Sequence, residues 1–309
     1  GYKMKIMVFD VGGTEIKYSV MDEQMHRTDS GAVPTPQDTQ AQFLDAVYRL
    51  YAPHKGEVVG IAMALPGFVD NRTGYVSNGG ALLYNTATPV GQLLAEKCSC
   101  PVILENDGKA AAMAELANGA LKGCCNAAVF IIGTGVGGGI IANGQLVRGV
   151  HFTAGEYSFV NTNAEAWDAP DQNMACQCST SNLLKWYRAR KALPEDAPLD
   201  GRSFFAAANA GEPEALEVLR RFCHAVAVQI YNLTVLLDVE KVAIGGGISK
   251  QPLLLESLRS AYDGLYASRA GQAYMEGLPR CQIVPCAFSS EANQVGVAAA
   301  YFEAMQKKC

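Results

Sequence analysis

Two segments of this sequence share one pattern: an apolar strand, a glycine turn and a second apolar strand. The first segment occupies residues 4–21 with its turn at 11–14, and the second occupies residues 127–143 with its turn at 133–139. Because no helical stretch follows either set of glycines, each segment predicts a β-hairpin and not the strand–turn–helix of a βαβ unit. The recurrence indicates an internal duplication, so we expect an α/β protein with two similar halves.

The glycine turns favour a phosphate-binding site. A turn without side chains lets backbone N–H groups approach phosphate oxygens closely, and two such hairpins facing each other would hold a nucleotide from both sides. A single hairpin of this kind is more commonly a plain turn, so the inference depends on the pair. Asp10 ends the first strand and is placed to hold a hydrated Mg²⁺, an ion that prefers carboxylate and water oxygens.

Two other nucleotide-binding patterns are excluded. Gly133, Gly135 and Gly138 match the string G-x-G-x-x-G, but a dinucleotide fingerprint requires a helix directly after it. Residues 139–144 are typical of a strand and a turn, so an NAD-dependent oxidoreductase is not expected. The string G-x-x-x-x-G-K-[ST] of P-loop proteins does not occur.

The polar residues of segment 101–115 allow two interpretations. An apolar strand at 101–104 runs into Glu105, Asn106 and Asp107, and an alanine-rich helix follows at once. One interpretation makes Asn106 or Asp107 a helix N-cap, whose side chain accepts a hydrogen bond from a backbone N–H. The other makes Asp107 a catalytic base at a strand end, where α/β folds place their sites.

The composition of the chain argues against nucleic-acid and membrane partners. Its 309 residues are 49% hydrophobic and carry a net charge of −5, which argues against a nucleic acid held through phosphate contacts. No apolar run reaches membrane-spanning length, and no basic-then-apolar leader precedes the first strand. The 10 cysteines are scattered, which is typical of reduced thiols. We therefore expect a cytoplasmic protein with no nucleic-acid or membrane partner.

Short motifs occur in a fixed order along nearly the whole chain: DVGGTEIK at 10–17, PGFVD at 66–70, END at 105–107, GTGVGGG at 133–139, AGE at 154–156 and IGGGIS at 244–249. Each motif is weak alone. The ordered set resembles the ROK family, the bacterial sugar kinases and sugar-responsive repressors of the actin/hexokinase superfamily.

The resemblance implies an architecture. It is a duplicated ribonuclease-H-like α/β fold of the actin/hexokinase type, with two lobes and a cleft between them. Residues 1–107 and 291–309 would form a small lobe, and residues 108–290 a larger one. Family members are commonly dimers, and a homodimer is left open for this chain.

The resemblance also assigns roles to residues at the motifs. The cofactors would be ATP and Mg²⁺, with the phosphates at Gly12, Gly13, Thr14, Gly133, Thr134 and Gly135, the adenosine at Gly245 and Gly246, and magnesium at Asp10 through water. Lys17 would help to neutralise phosphate, although a solvated strand lysine is an equal alternative. The sugar substrate would be bound by Gly67, Gly80, Asn106, Asp107 and Glu156. Asp107 would be the base, since a carboxylate that accepts the proton of the attacking hydroxyl suits phosphoryl transfer.

The sequence departs from the family at a zinc site. Many members hold a structural zinc with one His and three Cys, and the resemblance places Phe159 at the His position and Leu183 at the third Cys position. Cys176 and Cys178 remain, but two thiolates do not make a tetrahedral site. No zinc is therefore predicted.

The same departure bears on the substrate. In zinc-bearing relatives the His also contacts the sugar near C1 and C2, and Phe159 cannot hydrogen-bond a hydroxyl there. Segments 77–83 and 153–159 resemble a zinc-less subgroup that phosphorylates O6 of β-glucosides. We expect an ATP-dependent kinase for the 6-hydroxyl of glucose or a β-glucoside, with an N-acetylhexosamine (N-acetylmannosamine or N-acetylglucosamine) as the main rival.

Two functions of other classes are a DNA-binding repressor and a non-catalytic sugar sensor. A ROK repressor would carry a DNA-binding helix-turn-helix ahead of the first strand, which this acidic sequence does not include, so a repressor is not expected. A non-catalytic sugar sensor would be expected to lose the base or a phosphate loop. Asp10, Asp107 and both glycine loops are present, which favours the kinase.

Overall fold

The structure is a computed structural model that describes residues 3–307. The described chain divides into two compact units. The first contains the residues up to Asn118, the segment Arg148–Ala154 and the residues from Ser290 onwards, and the second contains Gly119–Val147 and Gly155–Ser289.

These units differ in three places from the lobes drawn from the sequence, and the smallest difference is that the last part of the first unit begins at Ser290 and not at residue 291. Residues 108–118 fall in the first unit with the strand that precedes them, and so does the segment 148–154. Both assignments follow from contacts between residues that are distant along the chain. Residues 1–2 and 308–309 of the sequence-based lobes lie outside the described residues.

The first unit is built on a five-stranded sheet. The unit's strands are β1 (Lys5–Val11), β2 (Glu15–Asp22), β3 (Arg27–Pro34), β4 (Ile61–Leu65), β5 (Phe68–Val69), β6 (Val76–Asn78) and β7 (Val102–Asn106). The sheet has the order β3-β2-β1-β4-β7, in which β1 and β2 form the predicted hairpin and β1, β4 and β7 run parallel. Strands β5 and β6 pair separately.

Helices cover this sheet and close its core. They are α1 (Gln40–Tyr51), α2 (Val90–Cys98) and α3 (Asp107–Asn118). Helix α1 begins directly after Thr39, which is its N-cap and accepts the backbone N–H of Gln42 at 3.2 Å. Its buried side chains are Phe43, Val47 and Tyr51.

The second unit repeats the arrangement. Its strands are β8 (Ala127–Ile132), β9 (Val136–Ala142), β10 (Gln145–Leu146), β11 (Lys241–Gly245) and β12 (Gln282–Pro285). They lie in the order β10-β9-β8-β11-β12, with β8 and β9 as a hairpin and β8, β11 and β12 parallel. The two sheets therefore share one strand order, which confirms the predicted duplication and the α/β class.

The second hairpin turns earlier than the sequence indicates. Residues 133–139 were predicted to form the turn, but β9 begins at Val136 and its glycines pair with β8. A Cβ atom on Gly138 would lie 2.0 Å from the carbonyl oxygen of Val129 and 2.7 Å from the ring of Tyr157. A strand glycine is required there by a close approach of distant residues, which the local sequence does not reveal.

Five helices of the second unit pack around its sheet: α4 (Met174–Gln177), α5 (Thr180–Lys191), α6 (Gly201–Asn209), α7 (Pro213–Leu237) and α8 (Pro252–Ala267). Helix α7 is 25 residues long and buries Phe222, Val226 and Ile230 in the core of this unit. None of the described helices is both long enough and apolar enough to cross a bilayer.

The last helix, α9 (Ala292–Lys307), belongs to the first unit. It lies so close to α3 that a Cβ atom on Gly296 would be 1.7 Å from the carbonyl oxygen of Ala110. It is also joined to the sheet, because the buried side chain of Gln294 accepts a hydrogen bond from the Ser19 hydroxyl. The chain thus returns to complete the first unit.

The α3–α9 contact predicts a stability difference between two glycine variants. Gly296→Ala forces the helices apart and should lower the free energy of unfolding by about 2–3 kcal/mol. Gly264 lies inside α8 with no neighbouring atom within 4 Å of an added Cβ. Gly264→Ala should therefore raise that free energy by roughly 0.5–1 kcal/mol through helix propensity alone. Urea denaturation measures both, and equal midpoints would show that the helices separate without cost.

Candidate active site

The first glycine loop is held open at its tip. The Gly12 N–H donates to the carbonyl of Glu15 at 2.9 Å, and the Thr35 hydroxyl donates to the Gly12 carbonyl at 2.8 Å. The backbone N–H groups of Gly13 and Thr14 donate to no acceptor within residues 3–307. Two unpaired N–H groups at an exposed turn fit phosphate oxygens.

Asp10 is a buried carboxylate beside this loop. It is 9% exposed, and its Oδ1 accepts a hydrogen bond from the Asn293 side chain at 3.1 Å. Burial raises the pKa of Asp10, while the Asn293 hydrogen bond and the charge of Lys17, its partner across the β1–β2 hairpin, act in the opposite direction. Its Oδ2 accepts no hydrogen bond among the described residues. A hydrated Mg²⁺ fits this donor set, because its charge would offset the burial of the carboxylate.

Gly67 and Gly80 meet in the first unit. Gly67 has φ +106°, and a Cβ on it would lie 2.1 Å from the carbonyl oxygen of Asn78. Gly80 has φ +59°, and a Cβ there would lie 3.0 Å from the Gly67 nitrogen. A Cβ on Gly13 would in turn lie 3.2 Å from the Cβ of Ala81, so the first glycine loop and this loop adjoin. Residues 77 and 78 of this segment belong to strand β6.

Asn106 joins the end of β7 to the Gly67 loop. Its side-chain Nδ2 donates to the Gly67 carbonyl at 2.7 Å, and its Oδ1 accepts the backbone N–H of Lys109 at 3.1 Å. Asn106 is therefore the N-cap of α3, and it is 6% exposed. Asp107 is the first residue of the helix, is half-buried, and accepts the Gly108 N–H at 2.8 Å. The cap is thus assigned to Asn106, which leaves the base interpretation to Asp107.

A buried charged group next to this strand end was not assigned any role from the sequence. Glu105 is 1% exposed and pairs with the Arg148 guanidinium. Lys109 is also 1% exposed, and its ammonium donates to the Phe152 carbonyl at 3.2 Å. Burial raises the pKa of Glu105, and the Arg148 charge opposes that rise. The signal in the sequence was charged residues within an otherwise apolar strand and alanine helix.

The second glycine loop shows the same open tip. The Gly133 N–H donates to the Gly135 carbonyl at 2.9 Å, and the Thr180 N–H donates to the Gly133 carbonyl at 2.9 Å. Thr134 and Gly135 are exposed, and their N–H groups donate to no acceptor in the described chain. The loop also lies at the first residue of α5, where the helix dipole favours an anion.

Gly245 and Gly246 lie against this second loop. Gly246 has φ +97°, and a Cβ on it would be 2.0 Å from the carbonyl oxygen of Ile132, the residue before Gly133. A Cβ on Gly245 would be 3.1 Å from the Cys286 sulfur. The predicted adenosine loop and phosphate loop of the second unit are therefore neighbours.

Glu156 is fixed by the residues on either side of it. Gly155 has φ +81° and approaches Gly139, while the Tyr157 hydroxyl donates to the Gly139 carbonyl at 3.1 Å. The Tyr157 ring stacks on Phe130 with a centroid distance of 5.5 Å. Glu156 is thereby attached to the β8–β9 hairpin.

The degenerate cysteine cluster lies in the second unit. Cys178 is fully buried, and burial raises the pKa of its thiol to about 12. Cys176 contacts the Pro170 carbonyl at 3.7 Å, and Leu183 is buried in the core. Leucine offers no metal ligand at the position of the third Cys. The absence of zinc stays a prediction.

The sequence model of the ROK family matches residues 6–306. The chain belongs to the ROK family. This ROK protein is 30% identical over 258 residues to a β-glucoside kinase from Listeria innocua, an alignment that covers 83% of this chain and 87% of the relative. It is 29% identical over 277 residues to an N-acetyl-D-glucosamine kinase from Vibrio atlanticus, with coverages of 81% and 86%.

A solved structure agrees with this membership. A ROK family protein from Streptococcus pneumoniae, in complex with sucrose, matches 98% of this chain and 100% of its own, with a TM-score of 0.85 and 28% identity. The likeness confirms the expected duplicated fold of the actin/hexokinase type.

The predicted site residues fall into two groups, one in each unit. Those of the first unit are Asp10, Gly12, Gly13, Thr14, Lys17, Gly67, Gly80, Asn106 and Asp107, and those of the second are Gly133, Thr134, Gly135, Glu156, Gly245 and Gly246. Within each unit, close contacts join the loops that carry most of them.

The Glu105–Arg148 pair predicts that the stability loss caused by Arg148→Met depends on pH. In Arg148→Met the buried Glu105 has lost its cation, so its pKa rises further above the unfolded value of about 4.3. A carboxyl whose pKa is raised by folding favours the folded state at low pH and opposes it as pH rises through the folded pKa. We expect a loss of about 2–3 kcal/mol at about pH 8 and a smaller loss at about pH 5.

Urea denaturation of the parent and Arg148→Met at both pH values measures this effect. The matched control is the double variant Glu105→Gln/Arg148→Met, which removes both charges, so its difference from the parent should change less between the two pH values than that of the single variant. If Arg148→Met loses the same unfolding free energy at both pH values, the loss of Arg148 does not leave Glu105 as a buried carboxyl without a cation.

Proposed function

We propose that this ROK protein is a kinase that transfers the γ-phosphoryl group of ATP to the 6-hydroxyl of glucose or of a β-glucoside. The sugar-kinase class rests on curated relatives that are carbohydrate kinases by name. The observation that carries the proposal is the position of Asp107, on the first turn of α3 and directly after the asparagine that binds the Gly67 loop.

Asp107 would accept the proton of the 6-hydroxyl as that oxygen attacks phosphorus. Phosphoryl transfer depends mainly on positioning and on charge stabilisation, with a carboxylate to receive the proton. Asn106 fixes the backbone on the N-terminal side of Asp107 through its two hydrogen bonds. The helix N-terminus favours negative charge at residue 107, which suits a base.

The N–H groups at the two loop tips would bind the ATP phosphates. Those of Gly13 and Thr14 in the first unit, and of Thr134 and Gly135 in the second, are unpaired within residues 3–307. Donors that need no rearrangement stabilise charge that develops on the transferred group. Asp10 would hold Mg²⁺ through water, and the ion would neutralise phosphate charge. Gly245 and Gly246 would lie against the adenosine.

The sugar preference is supported by Phe159 and by the relatives. The Phe159 side chain is 70% exposed and offers no hydrogen bond to a hydroxyl or an amide. A site without a buried donor near C1 tolerates the substituent of a β-glucoside, and it offers no hydrogen bond that would favour the amide of an N-acetylhexosamine. Glu156 would bind another hydroxyl. The Listeria relative favours a β-glucoside, and the Vibrio relative keeps an N-acetylhexosamine as the alternative.

Asp107→Asn tests the base. The variant keeps the shape of the side chain, so we expect it to fold normally and to lose on the order of a thousandfold in turnover. Asp200→Asn is the matched control, because Asp200 is an exposed N-cap of α6 and asparagine caps equally well. Release of ADP in the presence of sugar measures both. Near-parental turnover in Asp107→Asn would reject the base, and no turnover in the parent would favour a sugar sensor.

A substrate panel tests the sugar. With ATP and Mg²⁺ we expect kcat/KM for cellobiose or glucose to exceed that for N-acetylglucosamine and N-acetylmannosamine by roughly tenfold or more. Phosphorus NMR of the product should place the new group on O6, and 6-deoxyglucose should give no product. Turnover of an N-acetylhexosamine alone would contradict the glucoside assignment.

A further inference from the structure

A short loop of the chain is inserted into the first unit from the second. Residues 148–154 belong to the first unit, while the residues on both sides of them belong to the second. The ends of the loop are closed, because the Ala154 N–H donates to the Arg148 carbonyl at 3.2 Å. Gly149 has φ +81°, and a Cβ there would lie 3.2 Å from the Cβ of Ala154. We call these residues the 148–154 loop.

The first end of the loop is attached to strand β7 by a buried ion pair. The Arg148 Nη1 donates to Oε2 of Glu105, and the other oxygen of Glu105 accepts the backbone N–H of Asn106 at 3.0 Å. Both oxygens of the buried carboxylate are therefore engaged, one by the loop and one by the backbone of the strand end.

The other end of the loop is attached to helix α3. The Lys109 ammonium, which is 1% exposed, donates to the Phe152 carbonyl at 3.2 Å. Phe152 has φ +61°, a conformation that costs about 1 kcal/mol or more for a bulky residue and persists only where its surroundings impose it. The Arg72 guanidinium lies 5.0 Å from the centre of the Phe152 ring and holds it from the outside.

These attachments lie on either side of the predicted base. Glu105 precedes Asn106, and Lys109 follows Asp107 by two residues in the first turn of α3. Burying a lysine and a glutamate is expensive, and apolar side chains of similar size would hold a loop at lower cost. A purely structural contact does not explain the choice of charged groups.

We propose that Arg148, Glu105 and Lys109 are positioning residues, which set the geometry of Asn106 and Asp107 by attaching the 148–154 loop to both sides of them. The inference rests on the proposed function, because it gives a consequence for the reaction of Asp107. The Glu105 side chain, which Arg148 holds, accepts the Asn106 N–H, and the Lys109 side chain joins the first turn of α3 to the loop, so residues 106 and 107 are restrained on both sides. A displacement of about 1 Å at a reacting group costs on the order of a hundredfold in rate.

The test separates position from stability. Arg148→Met and Lys109→Met are each expected to lower kcat by roughly 10–100-fold, with the KM for ATP changed by less than about threefold. Arg148→Lys retains a cation next to Glu105 and should recover most of the lost turnover. Arg190→Met is the matched control, because it removes an exposed Arg–Glu pair with Glu217 and should leave kcat unchanged.

The kcat of the double variant Glu105→Gln/Arg148→Met decides between a positioning role and a purely structural one. It leaves neither charge of the Glu105–Arg148 pair without its partner and should unfold near the midpoint of the parent. The attachment of the loop to β7 is absent, while the Lys109 attachment remains, so kcat should stay low. Parental kcat in this variant would overturn the positioning role. If that variant has the parental kcat and Asp107→Asn is inactive, the assignment of Asp107 as the base still stands. If Asp107→Asn is active, the proposed function itself is rejected.

Discussion

The first unit depends on one amide side chain at the end of a strand. Asn106 donates to the Gly67 carbonyl, which is 39 residues away in sequence, and accepts the N–H of Lys109 in the next helical turn. The amide of Asn106 supplies a donor and an acceptor together, whereas an ionised aspartate in the same place would only accept. The strand, the helix and the Gly67 loop are thereby held by one buried group. Because Asn106 is the cap, the carboxylate of Asp107 is not needed for that role.

Glycine has the second structural role, which is to let backbone segments touch. At Gly67 and Gly246 an added Cβ would overlap a carbonyl oxygen, and at Gly296 it would overlap the neighbouring helix. These positions are places where one piece of chain passes directly over another. The loops around Gly13 and Gly135 use the same residue type differently, since there the backbone is open and its N–H groups are unpaired among residues 3–307.

The two halves share a strand order but brace their candidate site residues with different chemistry. In the second unit, the residue next to Glu156 is held by an aromatic stack and one neutral hydrogen bond, through Tyr157. In the first unit, the residues next to Asn106 and Asp107 are held by buried ions, Glu105 and Lys109. A neutral brace costs little desolvation, while a charged one requires every polar group to be paired. The buried charges that require pairing, Glu105 and Lys109, therefore lie beside the proposed base.

The sequence by itself determined the elements whose causes are local: the two hairpins, the strand–helix junction at 105–107 and the duplication. Apolar periodicity and glycine turns are properties of neighbouring residues, so they can be read without a fold. Tertiary structure alone decided that residues 137–139 are strand, that residues 148–154 join the first unit and that Lys109 is buried. Each of these depends on a contact with a distant residue, Tyr157, Glu105 or Phe152, and the energy of such a contact exists only after the chain has brought the partners together.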